Sequence, residues 1–405
     1  MTAESSGTPS ALPTIAGVRL GAAGAGIKRT DRDDVLLIEL APGSTCAAVF
    51  TRNAFCAAPV TVARTHLAHA PCWLLVNSGN ANAGTGARGL EDARRTCLSL
   101  AGLTGGRWEQ VLPFSTGVIG EYLPVDKIEA ALPKALEALT ESGWERAARA
   151  IMTTDTRPKI AFRSLNLEGH EVTLMGIAKG AGMIQPNMAT MLAFIATDAK
   201  LSAETLQACL AEAADGSFNC ITVDGDTSTN DACVLMATGQ SGTPRIDPND
   251  VNYPLFAHAV QAVCDQLAEA IVRDGEGATK LIRIQVEQAA SEAEARGVAK
   301  TIAHSPLVKT AFFASDPNWG RILAAVGRSD CPGLDIGKVA IWLDDVCIVE
   351  QGARAPAYTE AAGRAVMTRD DITVRVLLGR ETATQRVLTC DLSYDYVRIN
   401  AEYRT

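Results

Sequence analysis

Several signatures of common protein classes are missing from this 405-residue sequence. Its eleven cysteines include no C-x-x-C pair, which argues against a zinc site or a dithiol redox site. An odd number of scattered cysteines also argues against a disulfide framework, so we expect reduced, mostly buried thiols in a cytoplasmic protein. The five histidines form no local cluster, which disfavours a histidine-based catalytic triad.

Signatures of membranes, nucleic acids and cofactors are missing as well. The sequence has no run of 18 or more apolar residues and no basic, apolar N-terminal segment, so we expect neither a membrane span nor a secretory signal. A net charge of -9 argues against nucleic acid or an anionic membrane as partner. The glycine-rich stretch SGNANAGTG (78–86) matches neither of the nucleotide-binding patterns G-x-x-x-x-G-K-[ST] and G-x-G-x-x-G. The stretch VDGDTSTND (223–231) lacks the final glutamate of a calcium loop, so we expect an acidic turn near the site, no metal and no cofactor.

What is present is a mixture of strand and helix patterns. The length suits two or three packed units, and strands mixed with helices predict an α/β fold, a layered α+β sandwich. The residue patterns predict strands at 34–40, 46–51, 281–289, 338–343, 372–379 and 386–403. They also predict strands that run into loops or turns within 71–86, 111–120 and 220–231. Helical periodicity predicts helices at 89–103, 126–149 and 201–218, with Ser202 as an N-cap. It also predicts a helix within 255–277 that is stopped by the Asp274–Gly275 pair.

The most informative stretch is KGAGMIQPNMATML (179–192), which leads from a lysine to Thr190 at the head of an apolar run. A threonine there is usually only the start of a strand. The glycines and the Pro186–Asn187 pair before it, however, are residues of forced backbone geometry. A strained peptide beside a hydroxyl is the setting for self-cleavage by an N-to-O acyl shift. Cleavage between Ala189 and Thr190 would leave an α-amine, of pKa about 8, beside the Thr190 hydroxyl, which is a known form of activated nucleophile.

At this point the chain resembles the ornithine acetyltransferase family, the bifunctional glutamate and amino-acid N-acetyltransferases of arginine biosynthesis. The resemblance covers nearly the whole chain and is carried by KGAGMIQPNMATML, VNSGNANAGTG, PFSTGVIG, AIMTTDT, VDGDTSTND, RDGEGATK, SDPNWGR and YVRINAEYRT, in this order apart from the first. It implies autocleavage into an α chain (1–189), which carries the oxyanion and substrate lobe, and a β chain (190–405), which begins with the nucleophile. It also implies an α2β2 heterotetramer and a fold of two αβ lobes that behaves like the N-terminal-nucleophile hydrolases.

Acyl transfer needs hydrogen-bond donors for the developing oxyanion. Thr116 offers a hydroxyl, and Gly117 offers a backbone N–H that no side chain obstructs; the alternative is a strand-end turn. The resemblance gives this pair the oxyanion role.

The remaining site residues come mainly from the resemblance, which implies substrate contacts at Thr153, Lys179, Thr190, Glu276, Asn400 and Thr405. Lys179 suits a substrate carboxylate, although the alternative is a solvated loop lysine. Glu276 follows a predicted helix, where a cation is normally preferred, so it suits an ornithine ammonium or is simply a turn residue. Physical argument does not separate Thr153 from the adjacent Thr154.

These expectations give one function and two alternatives. The resemblance implies ping-pong transfer of acetyl from N2-acetyl-L-ornithine to L-glutamate through acetyl-Thr190, and acetyl-CoA is a second donor if the enzyme is bifunctional. The first alternative is an N-terminal-nucleophile amidase or aminopeptidase, in which water replaces glutamate. The second is a non-catalytic binding protein on the same fold.

Overall fold

The computed structural model describes residues 12–185 and 191–403, which form a mixed α/β protein. The strands in these residues are β1 (Val18–Ala23), β2 (Val35–Leu40), β3 (Thr45–Phe50), β4 (Trp73–Asn80), β5 (Val111–Val118), β6 (Lys159–Leu167), β7 (His170–Lys179), β8 (Leu192–Thr197), β9 (Ala232–Ala237), β10 (Leu281–Ala289), β11 (Ala340–Leu343), β12 (Val346–Glu350), β13 (Ala353–Arg354), β14 (Asp371–Leu377) and β15 (Ala383–Cys390). The helices are α1 (Ala58–His66), α2 (Gly86–Thr104), α3 (Val125–Glu137), α4 (Trp144–Ala150), α5 (Ala203–Gly216), α6 (Tyr253–Arg273), α7 (Glu292–Ala303), α8 (Pro306–Phe313), α9 (Trp319–Gly327), α10 (Glu360–Met367) and α11 (Tyr394–Ala401). The predicted α/β class is confirmed.

Two sheets pack face to face in the larger part of the molecule. A four-stranded sheet has the order β1-β2-β4-β5, and a five-stranded sheet has the order β3-β9-β8-β7-β6. Alternate residues of each strand point to opposite faces. In β4, Leu74 and Val76 therefore enter the core between the sheets, whereas Trp73 and Leu75 face the helices outside.

Helices cover the outer faces, so the arrangement is a four-layer αββα sandwich. Helices α2 and α3 cover the four-stranded sheet, and α5 and α6 cover the five-stranded sheet. Within the described residues, α6 is the one helix whose length and composition would also suit a membrane span. Its apolar side chains, such as Val260 and Leu267, are fully buried against the sheet, as expected of a core helix.

A second lobe follows, built on a six-stranded sheet of order β13-β12-β11-β14-β10-β15. Its core combines this sheet with residues of α7, α8, α9 and α10. The alternation in β10 explains the arrangement, because Ile282, Ile284 and Val286 are buried in this core while Arg283 and Gln285 are only half-buried.

The predicted α and β chains meet inside the five-stranded sheet. Strand β7 ends at Lys179 and pairs antiparallel with β8, with Lys179 opposite Leu192. Strand β8 also pairs with β9, and β9 pairs with β3 from the N-terminal part of the chain. The segments on either side of the predicted junction are therefore neighbours in one sheet, although Ala189 and Thr190 themselves lie outside the described residues.

Most predicted elements are confirmed within a few residues, and three are corrected. The predicted helix 126–149 is two helices, because Thr140 makes backbone hydrogen bonds with Leu20 at the edge of β1 and so leaves the helical path. The strand predicted at the start of 220–231 is wrong. The backbone N–H of Thr222 donates to the carbonyl oxygen of Leu388 and that of Val223 to the carbonyl oxygen of Ile184, so this segment does not pair with one neighbouring strand.

The third correction concerns the C-terminal segment. The strand prediction is right up to Cys390, but Tyr394–Ala401 is helix α11. The apparent alternation misleads because α11 buries none of its side chains; Tyr394 and Val397 are exposed. Asp395 in the first turn and Arg398 in the last turn suit the helix dipole, and they are the signal that the alternation concealed.

Candidate active site

A cavity of about 260 Å³ lies where the ends of β5 and β7 approach each other between the two sheets. It is lined by Ala81, Thr116, Gly117, Val118, Ile119, Thr153, Thr154, Lys179, Gly182, Met183, Ser228, Asn230, Glu276, Asn400 and Tyr403. Six of the predicted site residues, which are distant in sequence, are therefore brought together: Thr116, Gly117, Thr153, Lys179, Glu276 and Asn400. The other three, Ala189, Thr190 and Thr405, lie outside the described residues.

The Thr116–Gly117 pair lies near the end of β5, against the neighbouring strand β4. Gly117 has φ +135° and stands opposite Gly79 in the parallel pair. A side chain at Gly117 would collide with the backbone of Gly79 and Asn80, so this position requires glycine. Asn230 holds the same strand end by donating from Nδ2 to the carbonyl oxygen of Ser115 (2.9 Å).

Lys179 is the last residue of β7, and its side chain is buried in the cavity wall. Its Nζ donates to the Thr116 Oγ1 at 3.2 Å, which leaves the Thr116 proton free to donate to another group. Burial lowers the pKa of the Lys179 ammonium, while the nearby Asp155 carboxylate acts in the opposite direction. The alternative of a solvated loop lysine does not fit this position.

Glu276 lies two residues beyond the last-turn cap of α6 and is buried in the same cavity. Its backbone N–H donates to the carbonyl oxygen of Ala181 (2.8 Å), and its Oε2 accepts from Nδ2 of Asn400 (2.7 Å). Gly182 packs directly against the carboxylate, and a side chain there would collide with it. The carboxylate is thus held in place with an acceptor oxygen, Oε1, available to a ligand.

Thr153 and Thr154 both line the cavity, so the structure places the two alternatives side by side. The backbone N–H of Thr153 donates to Asp155 Oδ2 at 3.0 Å. This hydrogen bond connects the two threonines to a buried cluster of charged side chains, which the sequence motif does not reveal.

That group is an ion cluster of Asp155, Lys159 and Asp274 beneath the cavity. Lys159 Nζ donates to Asp155 Oδ1 and to Asp274 Oδ2, both at 2.6 Å, and all three side chains are at most 3% exposed. Burial alone raises the pKa of the Asp155 carboxyl, but Lys179 and Lys159 outweigh this effect and lower the pKa to about 2. Sequence reasoning missed the cluster because Asp274 is 115 residues from Lys159.

The acidic turn at 223–231 is adjacent to the cavity, as expected. Asp224 accepts from the backbone N–H groups of Met183 (2.6 Å) and Ile184 (2.8 Å) and so anchors the loop that follows β7. Met183 has φ +56°, a left-handed conformation that is uncommon outside glycine. In the described part of the chain, neither this turn nor any other group of acidic, histidine or cysteine side chains forms a metal-binding cluster. All eleven cysteines are free thiols, and most of them are buried.

Comparison with known proteins gives the family. The ArgJ family model matches residues 19–405. The arginine biosynthesis bifunctional protein ArgJ of Methylococcus capsulatus is 71% identical over 97% of each chain. The protein of the same name from Pseudomonas fluorescens is 56% identical over 97% of this chain and 98% of its own.

Two solved structures also have sequences similar to this chain. The ArgJ structure of Bacillus halodurans is 41% identical, with a TM-score of 0.49, over 50% of this chain and 95% of that one. An ornithine acetyltransferase of Mycobacterium tuberculosis, solved with ornithine, is 33% identical, with a TM-score of 0.38, over 43% of this chain and 94% of that one. The family match and the two full-length relatives confirm the resemblance: this chain belongs to the ArgJ family and is an acetyltransferase of arginine biosynthesis.

Proposed function

We propose that this chain transfers the acetyl group of N2-acetyl-L-ornithine to L-glutamate in two steps, through an acetyl ester of Thr190. The observation that carries the proposal is the single cavity that joins Thr116, Gly117, Lys179 and Glu276. We further propose that acetyl-CoA is the second acetyl donor, in keeping with the word bifunctional in the names of the relatives.

The charges of the cavity suit an amino-acid substrate. Its volume of about 260 Å³ lies just below the roughly 300–1,000 Å³ typical of drug-sized ligands. Lys179 supplies a cation for the α-carboxylate, and Glu276 supplies an anion for the side-chain ammonium of ornithine. Thr153, Asn400 and Thr405 complete the proposed substrate contacts.

The proposed chemistry begins with attack by the Thr190 hydroxyl on the acetyl carbonyl. The α-amine of Thr190 takes the hydroxyl proton and passes it to the leaving nitrogen of ornithine as the C–N bond breaks. The Thr116 hydroxyl and the Gly117 N–H hold the oxyanion. The α-amine of glutamate then attacks the acetyl ester, its proton returns to Thr190, and N-acetylglutamate leaves.

The α-amine exists only if the chain is cut between Ala189 and Thr190, so we propose autocleavage into residues 1–189 and 190–405. We also propose that the two products stay together, as an α2β2 assembly in the cytoplasm. The pairing of β7 with β8 and of β3 with β9 supports their association, because each product supplies strands to one sheet.

The first experiment is intact-mass measurement under denaturing conditions, followed by an acetyl-transfer assay. We expect two species of about 20 and 23 kDa, scaled from chain length, with the larger beginning at Thr190. The Thr190→Ala variant is expected to remain one chain of 42.6 kDa and to lack transfer. Cleavage of that variant would refute the nucleophile assignment.

The assay also distinguishes the two alternatives. Rapid loss of acetylornithine without added glutamate would indicate an amidase, in which water accepts the acetyl group. A stable uncut wild-type chain that binds ligand without turnover would indicate a binding protein.

A further inference from the structure

Four charged side chains lie beneath or within the wall of the cavity: Asp155, Lys159, Asp274 and Lys179. Buried charges are expensive unless they are paired and hydrogen-bonded, and replacing a buried ion cluster with apolar residues often costs nothing in stability. Stability alone therefore gives little reason for this cluster. Its position, between the residues proposed to bind substrate, points to a role in holding those residues in place.

Asp155 is the centre of the cluster. Its Oδ1 accepts from the backbone N–H of Gly180 at 2.7 Å and from Lys159 Nζ at 2.6 Å. Its Oδ2 accepts from the backbone N–H of Thr153 at 3.0 Å. One carboxylate thus fixes the backbone beside Lys179 and the backbone of a proposed substrate-binding threonine.

Lys159 extends this connection to the opposite wall of the cavity. It joins Asp155 to Asp274, which also accepts from the backbone N–H of Thr156 (3.1 Å) and from its hydroxyl. Asp274 is two residues before Glu276, at the end of α6. The walls that carry Lys179 and Glu276 are therefore joined through one lysine and two carboxylates.

The charges around Lys179 come from several elements. Asp155 and Lys159 approach from the 153–159 segment, Glu276 from the loop after α6, and Asp231 from the residue before β9. Burial raises the pKa of the Asp231 carboxyl well above its usual range, which weakens its contribution as an anion near neutral pH. Asp155 is the strongest of the neighbours that favour the charged form of Lys179.

We propose that Asp155 is a positioning residue for acetyl transfer, which sets the geometry of Thr153 and Lys179 and supplies a negative charge to the buried surroundings of Lys179. This inference rests on the proposed function, in which Lys179 binds the substrate carboxylate. Asp155 acts through these groups and is not proposed to touch the substrate.

The test compares the pH dependence of kcat/KM for acetylornithine in Asp155→Asn, Asp155→Glu and wild type. Asp155→Asn is expected to lower kcat/KM by up to about 100-fold through misplaced binding groups. It is also expected to move the alkaline limb to lower pH, because Lys179 loses the anion that raises its pKa. Asp155→Glu keeps the charge and is expected to retain the wild-type limb. The titration of the substrate's own amino group is common to all enzymes compared.

Asp198→Asn is the matched control. Asp198 is also buried and also accepts a backbone N–H, from Thr173 at 2.9 Å, but it follows the C-terminal end of β8 rather than preceding the strand. Its variant is expected to keep the wild-type kcat/KM and pH profile. An unchanged alkaline limb in a folded Asp155→Asn variant would overturn the inference.

Lys159→Gln gives a second test if neither Asp155 variant folds. Lys159 lowers the pKa of Lys179, so its removal is expected to move the alkaline limb to higher pH. A shift to lower pH, or none, would overturn the inference. Absence of acetyl transfer in the wild type would instead refute the proposed function.

Discussion

At the residue scale, glycines determine how closely the walls of the cavity approach. Gly182 lies against the Glu276 carboxylate, and Gly117 lies against Gly79, with no room for a side chain at either contact. The first contact places the Glu276 carboxylate in the cavity wall, and the second places the end of β5 there.

A methyl group at Gly182 should therefore displace Glu276. We expect Gly182→Ala to raise KM for acetylornithine at least about tenfold, since a charged hydrogen bond contributes roughly 1.5–3 kcal/mol. Steady-state kinetics would measure this. Gly297→Ala, on helix α7 with open space around the new methyl, is the control and should keep the wild-type KM. An unchanged KM for Gly182→Ala would contradict the proposed role of Glu276.

The Thr116 hydroxyl is open to a separate test. We expect Thr116→Ala to lower kcat by about 10²–10³-fold, the usual cost of losing one oxyanion donor. Thr116→Ser, which keeps a hydroxyl, should recover much of the loss. Wild-type kcat in the alanine variant would remove Thr116 from the reaction.

Sequence reasoning found the residues that lie in distinctive motifs and missed those that act through long-range pairing. Thr116, Lys179 and Glu276 stand in motifs that resemble the family's, and the resemblance favoured a functional role over a structural one for each. Asp155 and Lys159 look ordinary in the sequence. Their role depends on Asp274, which only the folded chain brings near.

At the scale of elements, a helix cap was easier to predict than the places where long-range contacts interrupt a helix or a strand. Ser202 is the N-cap of α5, as predicted, and its side chain accepts from the backbone N–H of Thr205. The capping interaction joins residues only three positions apart, so it does not depend on contacts with distant parts of the chain. The errors near Thr140 and at the start of 220–231 arise from backbone hydrogen bonds to segments distant in sequence, which periodicity does not contain.

The Ser202 cap allows a stability prediction. We expect Ser202→Ala to lower the free energy of unfolding by about 1 kcal/mol, the typical cost of losing an N-cap. Urea denaturation would measure the change, and activity should be retained because α5 lies outside the cavity lining. Equal stability of variant and wild type would show that backbone geometry alone supports this helix start.

Helix α11 is connected to the N-terminal part of the chain just beyond its end. Lys28 Nζ donates to the carbonyl oxygen of Tyr403 at 2.9 Å and lies 4.6 Å from the centre of the Tyr403 ring. Tyr403 in turn lines the cavity.

Removal of Lys28 should therefore loosen the C-terminal side of the cavity. We expect Lys28→Ala to raise KM several-fold and to speed proteolysis near the C-terminus, measured by mass spectrometry of timed digests. Lys134→Ala, on the exposed side of α3, is the control. Identical digestion of both variants would argue against a stabilising role for the contact between Lys28 and Tyr403.

At the scale of the whole molecule, the two predicted chains are interleaved rather than side by side. Strand β8 lies at the centre of the five-stranded sheet, between β7 and β9, and β3 forms one edge. A purification tag at the N-terminus should therefore retain the 190–405 product under native conditions and release it in guanidinium. Gel electrophoresis of the two eluates would show this, and native release would contradict the shared sheet.

The central place of β8 also restricts how such an enzyme can be made. Separate synthesis of residues 190–405 would leave β8 without β7 and β9 without β3, exposing unpaired strand edges of the kind that promote aggregation. If the chain is cut as proposed, we therefore expect it to fold as one piece before the cut. A gene split at codon 190 would thus encode the same two polypeptides as the proposed cleavage, but these would have to find each other after synthesis instead of folding within one chain.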